Sequence, residues 1–158
     1  MRTGSQSGFT YLLLLFFVAL TAAALAALGR SWHDAAERER ERELEFRGMQ
    51  IARAIHAYRL ASPGLAQNPR SLADLIHDTR GPTPRHHLRE AYVDPFTGRA
   101  DWQLLPDPAD PRRFVGVRSR SDQRLLRRRI GSCKDVRQAR DCAFLAADHE
   151  QAATGSDG

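Results

Sequence analysis

An uninterrupted apolar segment near the N-terminus, Phe9–Leu28, constrains this chain more than any other feature. It contains no charged residue, and its only polar side chains are Thr10, Tyr11 and Thr21. About 20 apolar residues, each rising 1.5 Å along a helix, are enough to cross a hydrocarbon core of about 30 Å. The segment therefore predicts one membrane-spanning helix, at residues 9–29.

Two other interpretations of this segment stay open. A secretory signal peptide has a shorter apolar core, of about 7–15 residues, although the small residues of Thr21–Ala27 offer a site for signal peptidase. The other is a processing site at Ser7-Gly8, directly before Phe9. In that case the helix would serve both as a membrane anchor and as the part that packs against other chains.

The helix is expected to continue beyond the span. Residues 30–60 contain no proline, one interior glycine and many Ala, Glu, Arg and Leu residues, which favour helix. Apolar residues then recur at spacings of four, three, four and three, which places them on one helix face that must be covered. These residues are Leu44, Gly48, Ile51, Ile55 and Tyr58. We expect one helix from Phe9 to about Leu60, charged and then amphipathic over 30–60, and ended by Pro63-Gly64.

An alternating run of glutamate and arginine, Glu37–Glu43, lies between the span and the apolar face. It places opposite charges three residues apart and like charges four residues apart, so its net support for the helix is modest. We expect this run to face water on nearly all sides.

The remaining sequence predicts a small domain at residues 61–145 and a disordered tail at 146–158. A short helix is expected within Asn68–Asp78, with Ser71 as its N-cap, and one helical turn at His87–Ala91.

Two alternating segments, Ala100–Leu105 and Arg113–Ser121, flank a proline-rich turn and predict a β-hairpin. Phe144 and Leu145 are expected to dock on this sheet. The fold class is therefore α+β, with a long N-terminal helix, transmembrane and then amphipathic, packed on a small antiparallel sheet.

The two cysteines, Cys133 and Cys142, form no C-x-x-C pattern of a metal or redox site. If the domain lies outside the cytoplasm, a disulfide between them is expected. In a reducing compartment they would be two thiols.

The charge of the chain is unevenly distributed. The formal net charge is +5, and residues 80–141 carry 15 Arg or Lys against 8 Asp or Glu. Such a surface attracts nucleic acid, anionic lipid or an acidic protein face, but a solvated arginine-rich surface is the simpler interpretation. No aromatic residues alternate with these arginines, as a surface that stacks single-stranded bases requires.

No residue pattern predicts catalysis. The histidines His56, His77, His86 and His87 do not have the spacing of a metal site. There is no glycine-rich phosphate loop, and no signature pairs a cysteine with a histidine as a nucleophile. We expect no enzymatic activity, no cofactor and no metal site.

The N-terminus resembles type IV pilins and type II secretion pseudopilins. These proteins begin with a short leader that ends in glycine, followed by phenylalanine and an apolar helix, as in "MRTGSQSG/FTYLLLLFFVALTAAALA". The resemblance implies that prepilin peptidase removes a leader of residues 1–8. It also implies that cleavage falls between Gly8 and Phe9, and that the new N-terminal Phe9 is methylated.

Later segments resemble the major pseudopilin of type II secretion, in the same order along the chain. They are Asn68–Leu75, Asp94–Gly98 leading to Trp102, and Val117–Asp122.

Two features depart from the major pseudopilin. The family usually has glutamate as the fifth residue of the mature helix, where this chain has Leu13, and its absence is associated with subunits at the filament tip. The major pseudopilin also binds calcium through an acidic loop, whereas the matching segment here, Ser121–Arg129, has Asp122 as its only carboxylate. A calcium ion needs about six or more oxygen ligands, so we expect no calcium site there.

The resemblance implies a structural subunit of a type II secretion or related filament, anchored by a single span in the bacterial inner membrane with its domain in the periplasm. Its implied partners are other pseudopilins, prepilin peptidase and the inner-membrane secretion platform. The assembly helix would use Leu13, Leu14, Phe16, Phe17 and Leu20. The charged collar, which we define as Glu37–Arg47, would lie just outside the membrane and pair across subunits.

Two alternative functions stay open. One is a minor or competence pilin whose basic domain binds DNA. The other is a periplasmic binding domain with an ordinary signal peptide or anchor, whose N-terminus would be intact or near Ala24–Gly29.

Overall fold

The computed structural model describes residues 7–147, with side chains for 9–26 and 32–147. The chain divides between Glu37 and Arg38 into two compact units, which are described separately. Of the predicted leader, residues 1–6 lie outside the described residues, as do residues 148–158 of the predicted tail.

Helix α1 spans Ser7–Leu60, 54 residues, in agreement with the single helix expected from about Phe9 to Leu60. Its C-terminus is closed by Ser62, whose hydroxyl donates to the Tyr58 carbonyl (3.3 Å) and accepts the backbone N–H of Gln67 (3.2 Å). Gly64 follows with φ of 93°, which residues with a Cβ rarely adopt. The Pro63-Gly64 dipeptide therefore comes after the helix end, as expected.

The second unit has its own hydrophobic core. The predicted apolar face of α1 is buried in it, with Leu44, Ile51 and Ile55 fully covered and Tyr58 5% exposed. Gly48 lies on the same face against the ring of Phe144, where an added Cβ would be only 2.3 Å from a ring carbon. The glycine therefore permits close approach between α1 and the C-terminal segment.

Helix α2 is short, Leu72–Ile76, and begins at the predicted N-cap. The Ser71 hydroxyl accepts the Asp74 backbone N–H while the Asp74 carboxylate accepts the Ser71 backbone N–H (3.1 Å), a capping box. Leu75 is its buried anchor.

No helical turn forms at His87–Ala91, where one was expected. Instead the backbone N–H groups of His87 and Leu88 both donate to the Leu75 carbonyl, at 2.9 Å each. These donors satisfy the C-terminal end of α2, and Leu88 is buried.

The main sheet is antiparallel and has three strands in the order β1-β2-β5: Gln103–Pro106, Phe114–Arg118 and Ala143–Leu145. The predicted hairpin is present as β1 and β2, with Leu104 opposite Val117. Both strands are shorter than expected. The third strand, β5, contains Phe144 and Leu145, which were expected only to dock on the sheet.

Val117 and Phe144 are direct partners across β2 and β5, so their side chains share one face of the sheet. Because the Phe144 ring meets Gly48, this face lies against α1.

The C-terminal segment also forms a hairpin of its own, β3 (Arg129–Ile130) with β4 (Cys133–Lys134). The expected disulfide joins Cys133 of β4 to Cys142, with a Cα–Cα distance of 5.5 Å. It ties the hairpin to the residue directly before β5. Ala146, the first residue of the predicted tail, is buried.

Candidate functional site

The first unit contains the exposed apolar segment Phe9–Ala26, which has 18 residues and a mean hydropathy of 2.3. It is long and apolar enough to cross a membrane, and none of it is buried within the chain. The Thr21 hydroxyl donates to the carbonyls of Phe17 (3.0 Å) and Val18 (2.9 Å), which is how a polar side chain is satisfied in lipid.

The residues of the predicted processing junction lie in the first turn of this helix. Gly8 is helical, and the Phe9 side chain is 71% exposed.

The side chains predicted for assembly are all exposed to a similar degree. The exposed fractions are 44% for Leu13, 60% for Leu14, 62% for Phe16, 55% for Phe17 and 52% for Leu20. Phe16 and Phe17 contact each other edge to face, with ring centroids 6.4 Å apart. An exposed apolar surface of this size is typical of a segment that meets a membrane or another protein.

The charged collar differs from what the sequence predicts. Glu41, in the middle of the alternating run, is 1% exposed, so the expectation that this run faces water on nearly all sides is wrong there. Its carboxylate accepts the backbone N–H groups of Leu126 and Arg127.

One turn later, the Glu45 carboxylate accepts the Gly131 backbone N–H (2.9 Å) and the Arg127 guanidinium (3.0 Å). Two carboxylates of α1 thus hold the loop that runs from Leu126 to Gly131 through charge-assisted hydrogen bonds.

This loop continues the segment in which the resemblance places a calcium site. Its links to the rest of the unit include Glu41, Glu45, the buried Ile130 and, through β4, the disulfide. Within residues 7–147, no group of three or more His, Cys, Asp or Glu is arranged to hold a metal ion.

Two of the segments that resemble the major pseudopilin, Asp94–Gly98 and Val117–Asp122, are joined by a hydrogen bond. Asp94, in the loop Asp94–Gly98, is fully buried and accepts the hydroxyl of Ser119 at 2.6 Å. It also accepts the Phe96 backbone N–H at 2.9 Å. The Trp102 indole donates to the Tyr92 carbonyl at 2.7 Å, so both ends of this loop are held from inside the unit.

A buried ion cluster near the C-terminal end of α1 was not predicted. The Arg80 guanidinium donates to both oxygens of Asp78 at 2.8 Å, to the Ser62 hydroxyl (2.7 Å) and to the Tyr58 carbonyl (2.8 Å). Its central carbon lies 3.3 Å from the Tyr58 ring centroid, and His87 Nε2 is 3.0 Å from Asp78 Oδ2.

These hydrogen bonds shift the titration of the cluster. The side-chain hydrogen bonds from Arg80 hold the pKa of Asp78 well below its usual value, against the opposing effect of burial. The same pair raises the pKa of Arg80, and burial raises the pKa of Tyr58. The cluster ties α1 to the segment after α2, which is a structural role.

Sequence reasoning identified the apolar segment and the cysteine pair, but it missed the structural roles of Glu41, Glu45, Asp94 and the Asp78–Arg80 pair. The two glutamates carried no distinguishing signal, because they belong to a repetitive charged run.

The histidines considered as metal ligands interact with different partners. His86 Nδ1 lies 2.5 Å from the Ile76 carbonyl, whereas His87 is bonded to Asp78.

Comparison of the chain with protein-family models, with curated proteins and with solved structures finds no match.

Proposed function

We propose that this chain is a pseudopilin-like structural subunit of a type II secretion or related type IV pilus-like filament, anchored in the bacterial inner membrane. The observation that carries the proposal is the segment Phe9–Ala26, which is apolar over 18 residues and entirely uncovered at the start of a helix. The later part of the same helix buries one face in an α+β unit. A chain built this way needs an apolar environment for one end and water for the other.

The proposed mechanism is mechanical. Lipid surrounds the apolar segment while the subunit is stored in the bilayer, and the helices of neighbouring subunits replace that lipid during assembly. Large side chains dominate Leu12–Phe17, whereas alanine dominates Ala22–Ala26. Small residues let helices approach closely in an apolar medium, so we assign the closest helix contacts to the alanine-rich half.

The disulfide supports a periplasmic location for the second unit. Disulfides persist in oxidising compartments and are rare in the cytoplasm, and Cys133 and Cys142 are joined.

The collar residues Glu41 and Glu45 are engaged within their own chain. Pairing across subunits is therefore left to exposed residues of the collar such as Arg38 and Arg40.

Leu13 bears on the position within the filament. It places an apolar side chain, 44% exposed, where the resembling family has a carboxylate for a neighbouring N-terminal amine. Such a subunit has no carboxylate with which to dock below another subunit, which favours a place at the tip.

The test is the mature N-terminus of the protein isolated from membranes of a cell that has prepilin peptidase. We expect mass spectrometry to find N-methylphenylalanine at Phe9. Gly8→Ala should leave the leader uncleaved, whereas Gly4→Ala, a glycine elsewhere in the leader, should be processed normally.

An intact Met1 in the unmodified chain would contradict the proposal. An N-terminus between Ala24 and Gly29 would instead identify a signal peptide followed by a periplasmic domain.

A further inference from the structure

The second unit carries a surface cavity of about 530 Å³. Among the described residues, its lining combines arginines with apolar side chains and contains no carboxylate. It is lined by Arg124, Leu125, Leu126, Arg128, Val136, Arg137 and Gln138. A neighbouring cavity of about 440 Å³ shares Leu126 and is lined by arginines of α1 and of the loop. We call the following set the arginine surface: Leu126 with Arg38, Arg42, Arg124, Arg127, Arg128 and Arg137.

The positive charge of this surface is only partly balanced within the chain. Arg42 pairs with Glu39 at 3.2 Å and Arg127 with Glu45 at 3.0 Å. Among the described residues, the other four arginines of the surface form no ion pair: Arg38, Arg124, Arg128 and Arg137.

Two further carboxylates, Glu41 and Asp141, accept backbone N–H groups of residues in or next to this surface. Glu41 is 1% exposed and bonded to the loop, and Asp141 accepts the backbone N–H groups of Arg137 (3.0 Å) and Gln138 (2.8 Å). The six arginines of the surface outnumber the four carboxylates bonded to it, Glu39, Glu41, Glu45 and Asp141, so these groups together carry a net positive charge.

An exposed leucine stands among these arginines. Leu126 is 49% exposed, although its neighbour Leu125 is 6% exposed and belongs to the core. Within the part of the chain that the structure describes, no aromatic side chain lines either cavity, and stacking of single-stranded bases requires such side chains. Guanidinium groups bind phosphate oxygens in a bidentate manner, and a leucine between them fits the boundary between headgroups and acyl chains.

The segment that is expected to enter a membrane lies close in sequence to the first of these arginines. Arg38 follows Ala26, the end of the apolar segment, by twelve residues in the sequence. Once that segment is inserted, covalent linkage gives the arginines a high effective concentration towards the lipid headgroups.

We propose that the arginine surface binds the phosphodiester headgroups of anionic phospholipids, with Leu126 at the interface. This goes beyond the proposed filament role and does not depend on it, because it requires only that residues 9–26 are in a bilayer.

The test uses the full-length chain in two kinds of lipid nanodisc, one of phosphatidylcholine alone and one with about 30% phosphatidylglycerol, since basic surfaces bind anionic leaflets. Hydrogen exchange of the amides in 124–138 is followed by mass spectrometry. We expect exchange at least about threefold slower in the anionic discs, and we expect about 0.5 M salt to abolish the difference by screening.

A matched pair of variants locates the effect. The triple change Arg124→Gln, Arg128→Gln and Arg137→Gln should remove the difference between the two discs. The control Arg89→Gln, Arg99→Gln and Arg112→Gln removes the same charge from exposed positions outside both cavities and should retain it. The two kinds of disc are also compared with the unmodified chain alone. The proposal can therefore be tested even if a variant fails to fold.

Equal exchange in the two discs would overturn the proposal, and so would an equal effect of the two triple variants. Three alternative ligands are tested separately with the phosphatidylcholine discs: inorganic phosphate, a single-stranded oligonucleotide and an acidic peptide. If any of them protects residues 124–138 as strongly as phosphatidylglycerol does, the surface is a general anion, nucleic-acid or protein site, and the membrane proposal is wrong. The mature N-terminus is measured separately, so this result is distinct from the fate of the filament proposal.

Discussion

Single carboxylates on α1 decide how the C-terminal loop is held. Glu39 and Glu41 are two residues apart in the same alternating run, yet Glu39 is 61% exposed in its side chain whereas Glu41 is 1% exposed as a residue. Glu41 accepts two backbone N–H groups that lie 85 and 86 residues further along the chain.

Glu41→Ala is expected to lower the free energy of unfolding of the second unit by about 1–3 kcal/mol, because two partly buried N–H groups lose their acceptor. Glu39→Ala breaks only an exposed pair with Arg42 and should change the free energy of unfolding by less than about 0.5 kcal/mol. Chemical denaturation of both variants, monitored by circular dichroism in the same detergent, compares them. Equal losses would show that the position of Glu41 is unimportant.

Asp78 makes the stability of the unit depend on pH. Its pKa in the folded state is held below the unfolded value by hydrogen bonds from Arg80, so the folded state binds its proton less readily than the unfolded state does. This contribution is complete above the unfolded pKa of about 4 and is lost progressively as the pH falls towards about 2.

Asp78→Asn should flatten the acid branch of the stability curve between about pH 5 and pH 2. It should also cost about 3 kcal/mol at neutral pH, because a mostly covered Arg80 loses its partner. The free energy of unfolding of the variant should still fall as the pH falls, though less steeply, since the pKa values of Asp107 and Asp141 are lowered as well. Urea denaturation at a series of pH values measures this, and an unchanged acid slope in the variant would exclude Asp78 as its source.

At the scale of elements, the contact between α1 and β5 determines how closely helix and sheet pack. The Phe144 ring occupies the space that a side chain at position 48 would need. Strand β5 has little freedom to retreat, because it pairs with β2 and the disulfide holds the residue before it.

Gly48→Ala should therefore destabilise the unit despite improving the helix. Alanine gains about 1 kcal/mol over glycine within a helix, whereas overpacking costs about 1–3 kcal/mol, so we expect a net loss of up to about 2 kcal/mol. Gly81→Ala, whose new Cβ would be 3.7 Å from its nearest neighbour, should be nearly neutral. Thermal unfolding measures the stability of both variants. Adding Phe144→Leu to Gly48→Ala should recover part of the lost stability, because leucine is smaller than phenylalanine. A stabilised Gly48→Ala variant would show that the ring moves freely.

At the scale of the whole molecule, the two units have opposite requirements. The described side chains of Phe9–Ala26 are all exposed and apolar or weakly polar. The second unit has a continuous core of its own, from Leu44 to Ala146. Among the described residues, the apolar segment Phe9–Ala26 of the first unit lacks cover within the chain.

Charges at the centre of the apolar segment should release the protein from membranes. An arginine at the centre of a spanning helix costs about 2.5–3.5 kcal/mol, so Phe17→Arg with Val18→Arg should move the protein from the membrane pellet to the supernatant after an alkaline wash. The control Leu60→Arg with Leu65→Arg alters residues that are 70% and 86% exposed in the second unit. It should stay in the pellet. Retention of both double variants would argue against insertion of residues 9–26.

The sequence alone determined the features that depend on local order. The helix over 7–60, its apolar face, the Ser71 cap and the β1–β2 hairpin follow from spacing and from the conformational preferences of neighbouring residues. The disulfide was predictable on condition of an oxidising compartment. The segment Phe9–Ala26 was identifiable because length and hydropathy are properties of a continuous stretch.

Only the tertiary structure decided which polar residues are structural and how the segment Ala143–Leu145 is placed. A carboxylate in a charged run has the same sequence signature whether it meets water or, like Glu41, two N–H groups of a distant loop. Likewise, nothing local in Ala143–Leu145 indicates that it pairs with β2. The physical reason is that a hydrogen bond or a packing contact depends on distance in space, and chain folding alone brings these residues together.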